Sequence, residues 1–283
     1  MSIATKLKTV YDGCSDIRAA IKEKDSTRGS GAIGTLADDI TALNPKNVIV
    51  KVYKDGNGNY SLDLDANNTD NIAASKYINN TNIIAVALPE SIKTLNPECF
   101  KSTTNLKYIN LNAVNSISNA AFEKSGTIDI SSFKGSTIGT YAFWKSSITG
   151  ILTDPNLSSI GVYAFAETNI TEIQDLGTIT SISDVGFSNC KSLTFVRIPS
   201  TVTRIGNSAF ERCSKLETVV VLAVSPPTFS NAYVFNLCPA LTTIYVPYSS
   251  DHSILDAYKA ATNWSAYASK IYELNEDGTV PTT

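Results

Sequence analysis

The sequence has few of the residues on which most enzyme active sites depend. His252 is the only histidine and Met1 the only methionine among 283 residues. A single histidine excludes acid–base networks built on several imidazoles. There is no serine in a G-x-S-x-G turn, and no glycine-rich phosphate loop with a lysine. The acidic residues are scattered without the pairing typical of a glycosidase, so we expect no catalysis and no cofactor.

Charge of one sign and long apolar runs are also scarce. The formal net charge is -3, so no cationic surplus is available for phosphates, and we expect no nucleic-acid partner. No apolar run approaches the roughly 20 residues of a membrane span. The N-terminal residues are amphipathic and lack the apolar stretch of a secretory signal. Two explanations stay open: the protein does not use that export route, or a signal has been removed.

A phenylalanine that follows a small residue recurs at intervals of 21 to 25 residues. Five positions before it stands leucine or isoleucine, except in the last copy, which has Ser230 there and Phe229 beside it. Self-similarity at such a period is the signature of stacked repeats. The repeated residues are Phe100, Phe122, Phe143, Phe165, Phe187, Phe210 and Phe235.

A short segment with alternating apolar and polar residues follows each phenylalanine, as in a strand with one inward face. A unit of about 22 residues cannot bury its apolar side alone. Stacking would pair the strands in parallel and collect the phenylalanines in an internal column. The residue before each phenylalanine is then small because the backbone packs closely against the next coil. The segments are 106–111, 126–131, 148–153, 170–175, 193–199, 216–221 and 241–247.

Three of the five cysteines, Cys190, Cys213 and Cys238, lie three residues after their phenylalanine. In these copies the strand residue expected to point inward lies 9 positions after the phenylalanine. In the two copies without cysteine whose inward residues are taken to be Ile151 and Ile173, that distance is 8. This indicates a buried thiol that fills a longer turn. The alternative, a metal site or disulfide framework, has no CxxC pair or second histidine to support it. We therefore expect reduced thiols and no metal.

The segment IPSTVTRIGNSAFERCSKL, from Ile198 to Leu216, resembles the BspA-like leucine-rich repeat, whose pattern is I-P-x-x-V-x-x-I-G-x-x-A-F-x-x-C-x-x-L. This copy meets every fixed position, whereas the copy at Phe143 lacks the proline and the cysteine. The resemblance covers about residues 82–247, and residues 258–274 are similar to the helical C-terminal cap of the family. It implies an α/β solenoid of about seven coils of 21–25 residues, with a parallel β-sheet face used for binding at bacterial surfaces.

Residues 1–45 are predicted to contain two helices, separated by a glycine-containing break at 26–31. The apolar residues of the first helix, within 3–21, repeat with a period of 3.5, which favours self-association, although a hairpin within the chain or docking on the solenoid stays open. The segment also resembles the start of many phage tail-associated proteins, which implies a place in a virion. The repeating residues are Ile3, Leu7, Val10, Cys14, Ile17 and Ile21.

Residues 48–66 alternate as a β-hairpin around a turn of glycine and asparagine. The turn is similar to a calcium loop, but Tyr60 stands where glycine is needed and Ala66 where glutamate is needed, which favours a plain turn. The predicted domains are an attachment or oligomerisation region at 1–45, a hairpin and N-cap at 46–81, the solenoid at 82–247, a helical C-cap at 248–274 and a flexible tail at 275–283.

The outward residues of the strands are the candidate binding surface. Aromatic residues and arginine on a flat sheet are typical of contact surfaces. Leu152 is placed outward in this interpretation. The sequence thus predicts a non-catalytic binding protein on a virion or, alternatively, a secreted or cell-surface adhesin that binds a host protein or glycan. The candidate residues are Tyr108, Asn110, Asp129, Glu172, Gln174, Phe195, Arg197, Val220 and Tyr245.

Overall fold

The alternating segments after each repeated phenylalanine pair in parallel along one side of the chain. The computed structural model describes residues 48–54, 60–66 and 70–281, and the repeats form a parallel β-solenoid of about nine turns. Buried apolar residues of these strands contribute to the core, as at Ile109, Ile173 and Val219. The strands of this side are β1 (Val48–Lys54), β2 (Tyr60–Ala66), β4 (Ile83–Ala87), β6 (Tyr108–Ile109), β9 (Thr149–Thr153), β11 (Asn169–Asp175), β13 (Phe195–Ile198), β15 (Thr218–Val221), β17 (Thr243–Val246) and β18 (Ile271–Glu273).

A second side consists of two-residue strands, each ending at a buried residue that lies five positions before the aromatic ring, or six positions in the last copy. In the last copy Phe229, and not Ser230, pairs with Ile205, so the core position is kept by a shift of one residue. These strands are β3 (Asn71–Ile72), β5 (Thr94–Leu95), β7 (Ser116–Ile117), β8 (Thr137–Ile138), β10 (Ser159–Ile160), β12 (Ser181–Ile182), β14 (Arg204–Ile205) and β16 (Thr228–Phe229).

The repeated phenylalanines form the predicted internal column. Neighbouring rings are nearly parallel, with centroids 5.3 Å apart for Phe143 and Phe165. Tyr77 continues the column, because its ring stacks on Phe100 at 5.1 Å. Ile72 lies five residues before Tyr77 and is fully buried, so these two residues belong to a further copy. The solenoid therefore begins at β3, whereas the sequence predicted a start at residue 82. The pattern of repeated phenylalanines does not include this copy, because its aromatic residue is a tyrosine.

The turns that carry the rings join the coils through their backbones. The amide of Phe143 donates to the carbonyl of Ala164 in the next coil at 2.8 Å, and the other copies repeat this bond. The side chain of Ala164 is fully buried, which confirms that a small residue is needed before the ring. Residues two before and two after the ring are left-handed in the coils from Tyr77 to Phe210, as at Val185 (φ 57°) and Asn189 (φ 58°), and in the last coil only Leu237 is.

These left-handed residues prevent the turns from becoming helices, because a right-handed helix cannot contain them. The α/β description is therefore corrected: in the described part of the chain, helix occurs only in the C-terminal cap. The cap contains α1 (Ser253–Ala260) and a 3₁₀ helix at Ser265–Lys270. The predicted helical cap is thus correct in part, since strand β18 completes it.

The position three residues after the ring is buried in every coil that has a phenylalanine, whatever the length of the turn. At Cys190 the thiol donates to the carbonyl of Phe165 in the preceding coil, with 3.1 Å between Sγ and O. The neighbouring thiols Cys190 and Cys238, together with burial, hold the pKa of Cys213 well above its ordinary value. The residues at this position are Thr103, Ser125, Ser146, Thr168, Cys190, Cys213 and Cys238.

The predicted association of cysteine with a longer turn was wrong for the copy at Phe143. Leu152 is the inward residue of β9, 2% exposed, and it follows Phe143 by 9 residues although Ser146 occupies the thiol position. A hydroxyl therefore fills the same space in a turn of the same length. The four described cysteines are free and buried, which agrees with a space-filling role.

The two ends of the solenoid are closed differently. At the N-terminal end β1 and β2 form the predicted hairpin, and β1 pairs antiparallel with β4. At the C-terminal end Trp264 covers the last coil, and β18 adds a parallel strand beside β17. The sequence pattern predicted for residues 1–45 and the calcium-like turn at 55–59 lie outside the described residues.

We expect Gly161→Ala to destabilise the protein by about 1–3 kcal/mol, as overpacking does. A Cβ atom at Gly161 would lie 2.5 Å from the carbonyl carbon of Gly139 and 2.7 Å from Cα of Thr140, both backbone atoms of the preceding coil. The matched control is Gly186→Ala, since other copies already have alanine there and the nearest atom is at 3.1 Å. Urea unfolding of both variants measures the difference, and equal stabilities would contradict this steric role.

Candidate binding face

The outward side chains of β9, β11 and β13 form a continuous row across the sheet. Glu172 on β11 pairs in register with Ile151 on β9 and with Phe195 on β13. Parallel neighbouring strands lie about 4.8 Å apart, so the row is a flat surface three strands wide. All three side chains are at least partly exposed, and they mix aliphatic, acidic and aromatic character.

Ile151 is an outward residue that the sequence analysis placed inward. Its side chain is 40% exposed, whereas Leu152 is buried, so the expected orientation of these two residues was reversed. The register between β9 and β11 shifts after Ile170, and Gly150 adopts φ 100° at this point. A glycine inside a strand marks such an irregularity, and a slip of one residue turns every side chain to the other face.

Arg197 is the cation of this surface, and its side chain is partly exposed. Its guanidinium carbon lies 6.0 Å from the ring centroid of Phe195 on the same strand, a cation–π geometry. No carboxylate of the described residues lies within ion-pair distance of it. On the next strand Gln174 donates to Glu172 at 2.7 Å, which fixes the carboxylate. A cation and a carboxylate are thus presented side by side.

The N-terminal strands contribute less than expected to this face. Asn110 is occupied by the backbone of Leu88, since its side chain accepts from the Leu88 amide at 2.6 Å and donates to the Leu88 carbonyl at 2.8 Å. Asp129 is exposed and accepts from the amide of Ser131. Tyr108 is half-buried, and burial raises the pKa of its hydroxyl. Asn110 therefore has a structural role, and Asp129 remains available.

Two predicted binding residues are covered by the C-terminal segment. Val220 is fully buried and Tyr245 is 9% exposed. Leu274 packs on them, and Val280 packs against the same cluster. Residues 275–279 form a turn closed by the bond from the Asn275 amide to the Thr279 carbonyl at 2.9 Å, although the sequence predicted a flexible tail here. The predicted exposure of Val220 and Tyr245 is therefore wrong, because Leu274 and Val280 pack over them.

The accessible surface is thus narrower than predicted. We call it the central sheet face. It consists of five predicted residues and one that the sequence analysis missed. Its members are Asp129, Ile151, Glu172, Gln174, Phe195 and Arg197.

The described residues show no constellation suited to a metal ion, since no group of three or more histidine, cysteine, aspartate and glutamate side chains comes together. The one histidine, His252, precedes α1 and its Nδ1 contacts Oε2 of Glu273 on β18 at 2.6 Å. This contact ties the helix to the last strand. None of the helices in the described part of the chain has the length and apolar character to cross a membrane.

Comparison with known proteins gives a family and similar solved structures. The family described as "BspA type Leucine rich repeat region (6 copies)" matches residues 60–146 and 136–263. A leucine-rich repeat protein from Bacteroides ovatus, solved at 1.19 Å, aligns with a TM-score of 0.38 and 14% identity, over 82% of this chain and 77% of that chain. No curated protein matches the sequence.

The resemblance of residues 1–45 to phage tail-associated proteins finds no support in these comparisons. Leucine-rich repeat proteins usually bind proteins, and those of the BspA type are typically found at the cell surface or outside the cell and are generally not enzymes. The family match spans most of the described solenoid, from the hairpin to α1. The chain belongs to the BspA-type leucine-rich repeat family.

Proposed function

We propose that this protein is a non-catalytic recognition protein that binds a protein partner at a cell surface through the central sheet face. The observation that carries the proposal is the row of Ile151, Glu172 and Phe195 beside Arg197, which forms no ion pair with the described residues. Aromatic residues and arginine dominate the binding energy of protein interfaces, and an exposed aliphatic side chain gains from being covered.

A protein fits this surface better than a nucleic acid or a membrane. The central sheet face carries two carboxylates, Asp129 and Glu172, against one cation, so phosphates would be repelled. A flat sheet also lacks the concavity that small-molecule sites need. The secreted or cell-surface adhesin is the form of this function that the family favours, whereas the virion assignment rests on residues 1–45, which lie outside the described residues.

The test begins with a partner found on an array of purified extracellular-matrix and plasma proteins, with a glycan array run in parallel. We expect a protein ligand whose affinity falls at least tenfold, or about 1.4 kcal/mol, in Ile151→Asp and in Arg197→Glu. Surface plasmon resonance with the full chain measures the affinities. Ile151 is exposed and Arg197 is partly exposed, so circular dichroism should show unchanged folding.

The matched control is Lys215→Glu, a charge reversal of an exposed residue outside the central sheet face. It should bind like the unaltered chain. The proposal is wrong if the partner is insensitive to both sheet variants, if only glycans bind, or if Lys215→Glu weakens binding as strongly as Arg197→Glu.

A further inference from the structure

The backbone hydrogen bonds between the aromatic turns all run in one direction. The amide two residues after each ring donates to a carbonyl of the following coil, as from Asn189 to Glu211 at 2.7 Å and from Arg212 to Asn236 at 2.8 Å. Aligned peptide dipoles leave unpaired donors at one end, as they do at the start of a helix. The donors in this ladder are Asn79, Ser102, Lys124, Lys145, Glu167, Asn189 and Arg212.

The donor end of this ladder lies at the last coil. Leu237 is the next residue in the series, and its amide donates to no atom of the described residues. The cap does not continue the ladder here: Tyr267 meets the ring of Phe235 edge-on at 5.6 Å, while β18 joins the opposite, sheet-forming side. The Leu237 side chain is 57% exposed, so solvent reaches this part of the turn.

Leu237 lines an open groove of about 690 Å³ between the last coils and the cap. The groove carries two cations, Lys191 and Arg212, and no carboxylate among its lining residues. Lys191 makes no ion pair with the described residues. A cationic groove is unexpected on a chain of net charge -3.

One carboxylate lies near the groove without lining it. Glu211 is 3.7 Å from Nε of Arg212 and accepts from the Asn236 side chain at 3.2 Å. Glu211 therefore positions the side-chain amide of Asn236 and offsets part of the positive charge of Arg212. Lys191 and the Leu237 amide remain without such compensation, so the groove keeps a net preference for an anion.

Apolar surface lies beside these donors. Phe235 is almost fully buried below the groove, and Leu237, Pro239 and Tyr267 form its apolar wall. A phosphate ion alone would leave this wall in water. A ligand with an apolar side chain next to a carboxylate would cover the wall and satisfy the donors together.

We propose that this groove is a second binding site, which takes an acidic peptide segment with alternating glutamate and leucine character. A carboxylate would accept from the Leu237 amide and pair with Lys191 and Arg212, while a leucine side chain would cover Tyr267 and Pro239. The site lies on the turn side of the solenoid, so it is separate from the central sheet face and does not depend on the function proposed there.

The experiment uses the full chain and the hexapeptide acetyl-ELEELE-amide, to which fluorescein is attached through an added C-terminal lysine. We expect the fluorescence anisotropy to show binding that weakens with added salt, because the contacts are ionic. The glutamine counterpart, acetyl-QLQQLQ-amide, should bind at least about tenfold more weakly. In ¹⁵N spectra the Leu237 amide should shift with the acidic peptide.

Lys191→Gln and Arg212→Gln should each lower the affinity for the acidic peptide about fivefold or more. Lys215 is exposed and lies outside the groove, so Lys215→Gln should leave this affinity unchanged. The proposal is overturned if the two peptides bind equally, if neither binds at millimolar concentration, or if the groove variants behave like Lys215→Gln. Inorganic phosphate that shifts Leu237 as strongly as the peptide does would also overturn it, since the apolar wall would then contribute nothing.

Discussion

Replacing Phe165 by alanine is expected to lower the free energy of unfolding by roughly 3–5 kcal/mol. The side chain is fully buried in the middle of the column, with parallel rings on both sides at 5.3 Å. The variant loses the transfer free energy of the ring and leaves a cavity between Phe143 and Phe187. The neighbouring coils cannot close this cavity, because their spacing is fixed by backbone hydrogen bonds such as Phe165 to Gly186 at 2.9 Å.

The matched control is Phe195→Ala, which removes the same side chain from the partly exposed central sheet face. It should cost less than about 1.5 kcal/mol, because the Phe195 side chain is only partly buried against Val220, Tyr245 and Leu274. Chemical unfolding gives both values, and hydrogen exchange should show that Phe165→Ala loosens the adjacent coils, since each coil contacts only its neighbours. Similar losses in the two variants would contradict the internal column.

The core of the fold could be predicted because its residues repeat. Each phenylalanine is buried for the same reason in every coil, so the period in the sequence is the period of the structure. Tyr77 escaped this reasoning because it replaces the phenylalanine with another aromatic ring. Phe229 is shifted by one position, yet it reaches the same buried place through its pairing with Ile205.

The binding face was harder to predict because it depends on local departures from the repeat. The irregularity at Gly150 exposes Ile151 and buries Leu152, and only the glycine itself signals this in the sequence. The covering of Val220 and Tyr245 is a contact with residues far along the chain, for which no periodic pattern exists. An outward position on a strand was therefore not sufficient to predict the exposure of each side chain.

The left-handed turn residues show a further limit of sequence patterns. Glycine or asparagine usually indicates such a conformation, but Tyr141, Tyr163 and Val185 adopt it here with φ near 58°. Alternating hydrogen bonds within and between the turns compensate for the strain, as when Val185 donates to the Asn207 carbonyl at 2.8 Å. Contacts between stacked coils stabilise this conformation, so the sequence of one coil by itself does not predict it.

Removing the indole that closes the C-terminal end should be about as damaging as removing a ring from the middle. Trp264 is 1% exposed, its ring lies 4.2 Å from that of Phe229, and Nε1 donates to the Pro227 carbonyl at 2.7 Å. Trp264→Ala would leave a cavity and an unpaired buried carbonyl. We expect a loss of roughly 3–5 kcal/mol, and exposure of Phe229 at the open end.

Trp144→Ala is the matched control, because Trp144 is the other of the two tryptophans and is partly exposed on a turn. Its ring lies 4.5 Å from the Lys145 ammonium at the surface, so the substitution should cost less than about 1.5 kcal/mol. Urea unfolding measures both variants. In Trp264→Ala, the amides of β15 and β17, beside the cap, should lose protection from hydrogen exchange. A coil of a solenoid is stabilised by its neighbours, so the coils next to the damaged cap lose stability first. Unchanged protection in these two strands would mean that α1 and β18 close the solenoid without Trp264.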